Sequence, residues 1–598
     1  MSALKDKADW QRKVFDESIV GKWRLEALQF SAARKPESAD EVVTNAWKKT
    51  EDSGENGESL DLDGEQRQTI ISQAVFDYCI AELRDNAKQD RQRGFTQAID
   101  ANACVFMSDS AIPSATKTAL QQAAARLEDV KAHQKDWHPG SDGKVLDLVH
   151  PSLFPLLYGR SRMMPTGAVP TEKCAWYTGR GSIVPEADIQ DTDYSDHFQW
   201  LPCDVATSDN GRAKISSYIN NLYPHGNMDL YAAIEDVITA SVPLWTETLL
   251  STQFLATHRI KDDFGDGRIE KPRPSRRSDE DDAHYDDWHN AYDAAIPEPK
   301  TYALRQRVQP KVFVPDDPNY KDPGQKTAAT KGWRLSDIDQ PLKNPSIEPS
   351  QEQIAEGDAA MEEQRKRLQN VFQKQGMQVI VKLANIHLTP DRPTYDGGSW
   401  HIEGQLNEHV AASALYYYDT ENITDSYLAF REGVDKDGLN DYEQSEYYAL
   451  MEIYGIRNYW GNAIQVLGMT NTREDRLLVF PNVLQHRVSP FELKDKAKPG
   501  HRKLLALFLV DPFIRIPSTS NVPPQQREWW ARAMEEKGTL SQKLPMELVD
   551  QIIEDVEDFP ITLEEAKELR GQLIEERKVY VNDSMQPYQN DGYCFCEH

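Results

Sequence analysis

The segment at 397–403, GGSWHIE, places an imidazole and a carboxylate two residues apart, just after a pair of glycines. On a β-strand alternate side chains share one face, so His401 and Glu403 are expected to point the same way while Ile402 points the opposite way. Two such side chains can occupy adjacent positions around a metal ion. The spacing therefore predicts part of a metal site, which a histidine from a neighbouring strand would complete.

His486 has the right setting for that third ligand, because it ends the segment LLVFPNVLQH, an apolar strand followed by a turn. Two imidazoles and one carboxylate on one face form the facial triad of non-haem Fe(II) oxygenases, which leaves coordination positions open. The alternative for His401 is the polar face of a half-exposed strand. A second match to the pattern, His284 with Asp286, lies in a charge-dense stretch where no rigid strand is expected to hold a metal.

A cationic side chain begins the next strand. The segment GHRKLLALFLV starts at Gly500 and becomes almost entirely apolar. A guanidinium binds a carboxylate through two parallel hydrogen bonds, so Arg502 is the candidate for holding a dicarboxylate co-substrate. His501 and Lys503 are expected to face the other side of this strand.

Asn385, on the predicted strand before the glycine turn, is a further candidate contact for the carboxylate of the co-substrate, with a structural amide as the alternative. Several other residues have weaker claims, as sheet or pocket-lining side chains that support the site. They are His387, Trp400, Gln405, His409, Tyr416, Tyr417 and Tyr418.

The order of these motifs resembles the Fe(II)/2-oxoglutarate-dependent oxygenases over residues 376–516. The resemblance implies a double-stranded β-helix, which is a form of jelly roll. It also implies that His401, Glu403 and His486 hold iron and that Arg502 binds the distal carboxylate of 2-oxoglutarate. Glutamate at position 403 departs from the aspartate that is commoner in that family.

The chain is also similar to a large fungal family of unknown function. The similar stretches lie between residues 145 and 530 and include LVHPSLFPLLYGRSR, ISSYINNLYP and FPNVLQHRVSPFEL. This second resemblance implies membership and no substrate.

The elements that position the site change character at residue 376. Residues 1–375 are predicted to form a mainly helical N-terminal or capping region, with a charged insertion near 259–300. Residues 376–520 contain short β-branched and aromatic runs separated by turns, which predict a jelly-roll core. Residues 521–598 predict C-terminal helices and a flexible tail, and the expected fold class is therefore α+β.

Composition restricts the partners. The 598 residues carry a net charge of -29, which repels phosphate backbones and anionic membranes, so a small molecule is the expected partner. No apolar run reaches the ~20 residues of a membrane span, and the first residues lack a secretory signal. Six scattered cysteines, including Cys594 and Cys596 in the tail, are typical of a reducing compartment, so a cytoplasmic location is expected.

We therefore expect a non-haem iron, 2-oxoglutarate-dependent dioxygenase that oxidises an organic substrate, with succinate and CO2 as co-products. The large N-terminal region is expected to act as a lid and to select the substrate. One alternative is a non-catalytic jelly-roll binding or scaffold protein, which has no need of Arg502. The other is a cupin-like metalloenzyme that does not use 2-oxoglutarate, in which Arg502 would be dispensable.

Overall fold

The computed structural model describes residues 1–32, 73–99, 104–165, 168–186, 194–254, 351–433, 464–537 and 559–589, with short pieces between 544 and 556. The charged insertion near 259–300 and the tail that carries Cys594 and Cys596 lie outside the described residues.

The α-helices of the described chain fall into an N-terminal group, a central group and a C-terminal pair. Their bounds are α1 Ser2–Lys5, α2 Trp10–Lys13, α3 Glu17–Ala32, α4 Gln73–Arg93, α5 Ser114–Glu128, α6 Met228–Phe254, α7 Gln351–Gln375, α8 Arg527–Lys537 and α9 Leu563–Gln589.

The β-strands begin well before residue 376. Their bounds are β1 Thr96–Gln97, β2 Phe106–Ser108, β3 Val145–Val149, β4 Leu156–Leu157, β5 Arg162–Met163, β6 Ser182–Ile183, β7 Phe198–Gln199, β8 Cys203–Thr207, β9 Ala213–Ile215, β10 Met377–Leu388, β11 Thr394–Tyr395, β12 Val410–Glu421, β13 Tyr427–Gly433, β14 Ile464–Asn471, β15 Leu477–Pro481, β16 Gln485–Val488, β17 Phe491–Glu492 and β18 Gly500–Val510.

The largest sheet contains nine antiparallel strands in the order β1-β2-β15-β12-β18-β10-β8-β9, with β3 also paired to β10. Five of these strands precede residue 376, so the predicted boundary after residue 375 divides one sheet. The N-terminal region therefore supplies strands to this sheet as well as helices. The physical reason is that β10 is buried along almost its whole length, so its free edge needs backbone partners, which β3 and β8 supply.

Both faces of this main sheet are covered, as the alternation along β18 shows. Leu505, Leu507 and Leu509 pack in a core with helices α5 and α6. The intervening Ala506 and Phe508 pack in a second core on the opposite face, as the two-residue period of a strand requires. Burial on both faces explains why this strand is almost continuously apolar.

A smaller sheet, in the order β14-β13-β16, covers the second face of the main sheet. Its Leu428 and Phe430 belong to the same core as Phe508, and so do Ala566 and Leu573 of α9. We call the face of the main sheet that the small sheet covers the inner face, and the opposite face, which α5 and α6 cover, the outer face. The space between the inner face, the small sheet and α9 is called the interior. The described chain is thus an α+β protein with a large antiparallel sheet, as the sequence predicts.

Helix α6 contains Pro243 in its interior, where proline removes a helical hydrogen bond and often breaks a helix. The helix continues instead, and Leu244 and Trp245, just beyond the proline, are fully buried in the core beside the main sheet. Tertiary packing of this face therefore outweighs the hydrogen bond that proline removes. Among the described helices, none has both the length and the apolar character needed to cross a membrane.

Candidate metal centre and carboxylate pocket

His401 and His486 face each other across a short antiparallel bridge. The backbone N–H of His401 donates to the carbonyl of His486 at 3.2 Å, and that of His486 donates to His401 at 3.0 Å. The sequence predicts a short strand at 399–406, but residues 402–405 leave the bridge in a bend. Glu403 therefore reaches the imidazoles through a local turn, and the strand prediction is corrected to a single bridge.

The three predicted ligands come together. One ligand atom from each of His401, Glu403 and His486 lies within 4.8 Å of the other two. Glu403 Oε1 is 3.7 Å from Nε2 of His401 and 3.4 Å from Nε2 of His486. The two rings are 4.4 Å apart between centroids. Both Nε2 atoms thus converge on one carboxylate oxygen, which is an arrangement suited to a cation between them.

Neighbouring groups hold the ligands in place. Nδ1 of His401 donates to the Ser399 carbonyl at 2.8 Å, which leaves its Nε2 free to bind a metal. The Asn482 amide clamps the backbone of Glu403, accepting from its N–H at 2.9 Å and donating to its carbonyl at 2.8 Å. Gly404 has φ +74°, and a Cβ there would lie 3.0 Å from the Glu408 carboxylate. The turn after Glu403 therefore requires glycine.

Glu408 anchors this turn to the rest of the protein. Its side chain is fully buried and accepts from the backbone N–H of Trp200 at 2.8 Å and of Gln405 at 2.6 Å. Arg577 of α9 donates to it at 2.6 Å and stacks 3.8 Å above the Trp200 ring. The loop that carries Glu403 is thus fixed by one segment that precedes it in the sequence, at Trp200, and by one that follows it, at Arg577.

The electrostatics of the centre favour an ionised carboxylate beside a neutral imidazole. Burial opposes ionisation of Glu403, but hydrogen bonds from both imidazoles outweigh it and hold its pKa well below the usual range. Burial, reinforced by the charge of His401, lowers the pKa of His486. Burial also disfavours the charge on His401, but the Glu403 carboxylate outweighs this and raises the pKa of His401. Because a metal binds the neutral imidazole, metal binding at His401 competes with its protonation.

Arg502 lies on the inner face of the main sheet and is 1% exposed. Its Nη1 donates to Ser426 Oγ at 2.6 Å and to Thr472 Oγ1 at 3.0 Å. Tyr417 and Phe491 stack on its guanidinium, with ring centroids 5.4 and 5.0 Å away. Within the described part of the chain no carboxylate pairs with it, and its Nε has no hydrogen-bond partner. Burial lowers the pKa of Arg502.

The metal centre and Arg502 both adjoin the smaller sheet, since His486 lies on β16 and Arg502 contacts Ser426 and Thr472. Strand β13 pairs Phe430 with His486 and Leu428 with Val488. Ser426, which accepts a hydrogen bond from Arg502, precedes Phe430 by four residues. Because this spacing is even, both side chains are expected on the same face of the strand. These two positions are therefore separated by about 13 Å along the strand.

Asn385 does not join the other predicted residues. In the pairing of β10 with β18, Asn385 lies opposite Lys503, whereas Ile386 lies opposite Arg502. Its Oδ1 accepts from the Tyr418 hydroxyl at 3.2 Å on the outer face of the sheet. The prediction that Asn385 contacts the co-substrate is therefore wrong, because cross-strand neighbours share one face.

The side chain next to Arg502 has a different environment, as the sequence predicts. Lys503 forms ion pairs with Glu128 and Asp419, both at 3.1 Å, and His501 lies 3.1 Å from Asp419. These contacts are on the outer face. Lys503 is thus a paired cation of the outer face, while Arg502 carries its charge into the interior.

The weaker candidates divide between the two faces. Tyr416 and Tyr418 pack in the outer core, and Tyr417 packs in the inner one, where it touches Arg502. His409 ends a short 3-10 helix, and its ring lies 6.4 Å from Tyr194. Outside the centre lie His387 and Trp400. The ring of His387 is 6.2 Å from that of Trp137, and the indole of Trp400 packs against two arginines.

Sequence reasoning missed six residues that support the site, namely Trp200, Glu408, Ser426, Thr472, Asn482 and Arg577. Asn482 carried a signal, because an amide directly after the strand LLVFP is well placed to clamp a neighbouring segment. Ser426 and Thr472 carried none, since each stands in a loop distant in sequence from Arg502.

Two family models match this chain. A model described as a protein of unknown function (DUF4246) matches residues 73–533. A second, described as the N-terminal domain of unknown function of DUF4246, matches residues 1–26. No curated protein matches.

Several solved structures are similar to part of the chain. The Fe(II)/(alpha)ketoglutarate-dependent dioxygenase TqaL is 13% identical over 27% of this chain and 57% of its own, with a TM-score of 0.15. EvdO2 from Micromonospora carbonacea var. aurantiaca, complexed with 2-oxoglutarate, is 9% identical over 22% and 52%, with a TM-score of 0.12. IDO from Bacillus thuringiensis is 10% identical over 22% and 45%, with a TM-score of 0.14. The chain thus spans about half the length of these proteins, and likenesses of this size carry no argument about its activity.

Proposed function

The chain belongs to the DUF4246 family, whose description assigns no activity, and we propose from its own residues that it is an Fe(II)- and 2-oxoglutarate-dependent oxygenase. In this proposal His401, Glu403 and His486 hold the iron. Arg502 holds the far carboxylate of 2-oxoglutarate, and an organic substrate is oxidised. The proposal reads the two facing sheets as a jelly roll, with the metal centre inside it.

The donor set fits iron. Two imidazole nitrogens and one carboxylate oxygen converge from one side, which is the ligand set of non-haem Fe(II) oxygenases. Glu403 supplies the negative charge, and the Ser399 carbonyl sets the His401 tautomer that exposes Nε2. Two imidazoles and one carboxylate would leave further coordination positions, at which a co-substrate would bind.

The observation that carries the proposal is the buried Arg502, which has no carboxylate partner among the described residues. A charged group taken out of water is costly unless it is paired, so an unpaired guanidinium points to an anionic ligand. Ser426 and Thr472 occupy Nη1 alone, which leaves donors of the same plane free for a bidentate carboxylate. A structural metal site has no use for such a group.

The spacing suits 2-oxoglutarate. Arg502 contacts Ser426 and His486 lies opposite Phe430, and these two positions are about 13 Å apart along the strand direction. A five-carbon dicarboxylate that chelates the metal at one end would place its other carboxylate at Arg502. When bound, iron and 2-oxoglutarate supply the oxidising chemistry, in which O2 is consumed, the co-substrate becomes succinate and CO2, and the substrate gains an oxygen atom or loses hydrogen.

The protein's own contribution is orientation and exclusion of water. Phe430 and Phe480 pack around the His486 ring, with Phe480 at 4.7 Å between centroids. The side chain of His401 is 38% exposed, whereas those of Glu403 and His486 are 12% and 4% exposed. The His401 side is therefore the open side, from which a substrate would approach.

The test is an anaerobic titration of the full-length protein with Fe(II) and 2-oxoglutarate, followed by visible absorption. A metal-to-ligand band is expected in the wild type, absent in His486→Ala and weakened in Arg502→Ala. Lys503→Ala is the matched control, since it removes the neighbouring cation on the outer face and is expected to keep the band. Iron binding without a band would favour the cupin-like alternative, and no iron binding would favour the scaffold.

A further inference from the structure

A second group of potential metal ligands lies away from the proposed iron centre. It consists of His138, Asp147 and His150, and one ligand atom from each lies within 4.8 Å of the other two. Asp147 stands in β3, and the backbone N–H of His138 donates to the Val145 carbonyl at 2.8 Å. A reversal of the chain between residues 138 and 145 thus brings His138 beside Asp147, while His150 follows β3 directly.

The geometry leaves one ligand atom unpartnered in a buried place. Nδ1 of His138 lies 2.8 Å from Oδ2 of Asp147, and the rings of His138 and His150 are 5.2 Å apart. The Asp147 side chain is 1% exposed, yet its Oδ1 has no hydrogen-bond partner among the described residues. A buried carboxylate oxygen without a partner costs free energy, so it needs an explanation.

Arg570 of α9 does not supply that partner. Both of its Nη atoms donate to Asp136, at 2.7 and 3.0 Å, in a bidentate pair. Its contact with Asp147 is longer, at 3.4 Å, and reaches Oδ2, the oxygen that His138 already contacts. The charge of Arg570 is therefore largely matched by Asp136. Lys382 acts on Asp147 through its charge, and Oδ1 of Asp147 still has no hydrogen-bond partner among the described residues.

There is room for further ligands beside this group. A cavity of about 240 Å³ is lined by Asp147 and His150 and also by Asp136, Asn221 and Gln526. Water molecules held by these polar side chains could complete a coordination shell. The His138 side chain is 28% exposed, which leaves a route of entry for an ion.

We propose that His138, Asp147 and His150 bind a second divalent transition-metal ion, such as Zn²⁺, independently of the iron centre. Two imidazoles and a carboxylate with open positions suit Zn²⁺. Nδ1 of His150 accepts a 3.2 Å contact from the Ser152 N–H. Binding of the ion through Nε2 of His150 would place the proton on Nδ1, so the long contact from the Ser152 N–H would be lost. The ion would fix the hairpin that carries His138 to β3, and through Asp136 to α9.

The experiment counts metal ions in the full-length protein carrying Cys594→Ser and Cys596→Ser, so that the tail thiolates do not contribute. The chelator-treated protein is titrated with Zn²⁺ in a calorimeter, and bound metal is then measured by mass spectrometry. About two equivalents are expected, with about one remaining in His150→Ala and about one in His486→Ala. His133→Ala, which removes an exposed histidine of the same segment, is the control and keeps both.

Other outcomes would overturn the proposal. One equivalent in the parent protein that disappears in His486→Ala, or two equivalents that persist in His150→Ala, would mean that the second group binds no metal. One equivalent that disappears in His150→Ala and survives in His486→Ala would support this site and refute the iron centre instead. If His150→Ala fails to fold, His138→Gln serves in its place, because that ring is partly exposed, and loss of one equivalent is again expected.

Discussion

Replacing Arg502 with methionine is expected to weaken 2-oxoglutarate binding and to stabilise the ligand-free protein. Methionine keeps much of the side-chain volume between Tyr417 and Phe491 and removes the buried charge. A hydrogen bond to a charged group contributes about 1.5–3 kcal/mol, so losing two of them to one carboxylate costs about 3–6 kcal/mol. With a tenfold change for every ~1.4 kcal/mol, the Kd for 2-oxoglutarate should rise by roughly 100-fold or more.

The stability effect has the opposite sign because Arg502 has no carboxylate partner among the described residues. Removing the buried charge relieves its desolvation cost, and losing the hydrogen bonds to Ser426 and Thr472 offsets part of that gain. A net gain of about 1–2 kcal/mol in the free energy of unfolding is expected, since replacing buried ionic groups with apolar ones often stabilises by ~1–4 kcal/mol. Denaturant unfolding of the metal-free protein measures it.

Two control variants sharpen this prediction. Lys503→Met should leave 2-oxoglutarate affinity unchanged and lower stability by about 1–2 kcal/mol, because it breaks ion pairs with Glu128 and Asp419. Lys382→Met tests a second cation of the inner face. Lys382 lies on β10, opposite Ala506 of β18. A large loss of affinity in Lys382→Met with none in Arg502→Met would refute the reasoning. So would an Arg502→Met protein that is destabilised by several kcal/mol and binds 2-oxoglutarate normally.

Three further predictions concern the support of the centre and the ion pairs of the outer face. Asn482→Ala should lower Fe(II) affinity about 10–100-fold in an anaerobic titration, because it frees the backbone of Glu403; unchanged affinity would mean that the clamp is dispensable. Glu408→Ala should cost about 3–5 kcal/mol in denaturant unfolding, since Arg577 is left buried and unpaired, whereas a loss below ~1 kcal/mol would contradict this. Hydrogen bonding from His501, aided by Lys503, lowers the pKa of Asp419 to about 2. Its stabilising contribution, about 2 kcal/mol, is therefore present above pH ~4 and is lost as the pH falls toward 2. The stability difference between wild type and Asp419→Asn should shrink by that amount, and a constant difference would refute it.

The chemistry of the centre was more predictable from the sequence than its local structure. The residue types at 401, 403 and 486 suffice to suggest a metal site, and the structure brings the three together. The strand expected at 399–406 does not form, because Gly404 turns the chain toward Glu408 immediately after Glu403. Residue type therefore indicated the ligands. The turn that positions Glu403 depends on the buried carboxylate of Glu408, whose partners Trp200 and Arg577 are distant in sequence.

Two features could not be predicted from the sequence, for related physical reasons. They are the face of β10 on which Asn385 lies and the strands that the N-terminal region adds to the main sheet. Strand β10 is apolar on both faces, so its pattern does not reveal which face borders the interior, and Asn385 proves to be on the outer one. Strands β3 and β8 have five residues each, too few for a clear two-residue period. They form because β10 offers them an edge, which is a tertiary effect that no local pattern carries.

The most direct test of the proposed iron and co-substrate site is a crystal structure of the full-length protein with Mn²⁺, as a stand-in for Fe(II), and 2-oxoglutarate. The anomalous signal of the metal is expected between Nε2 of His401, the Glu403 carboxylate and Nε2 of His486. The distal carboxylate of 2-oxoglutarate is expected in a bidentate contact with Arg502, beside Ser426 and Thr472. A metal bound elsewhere, or a co-substrate that leaves Arg502 untouched, would contradict the proposed function.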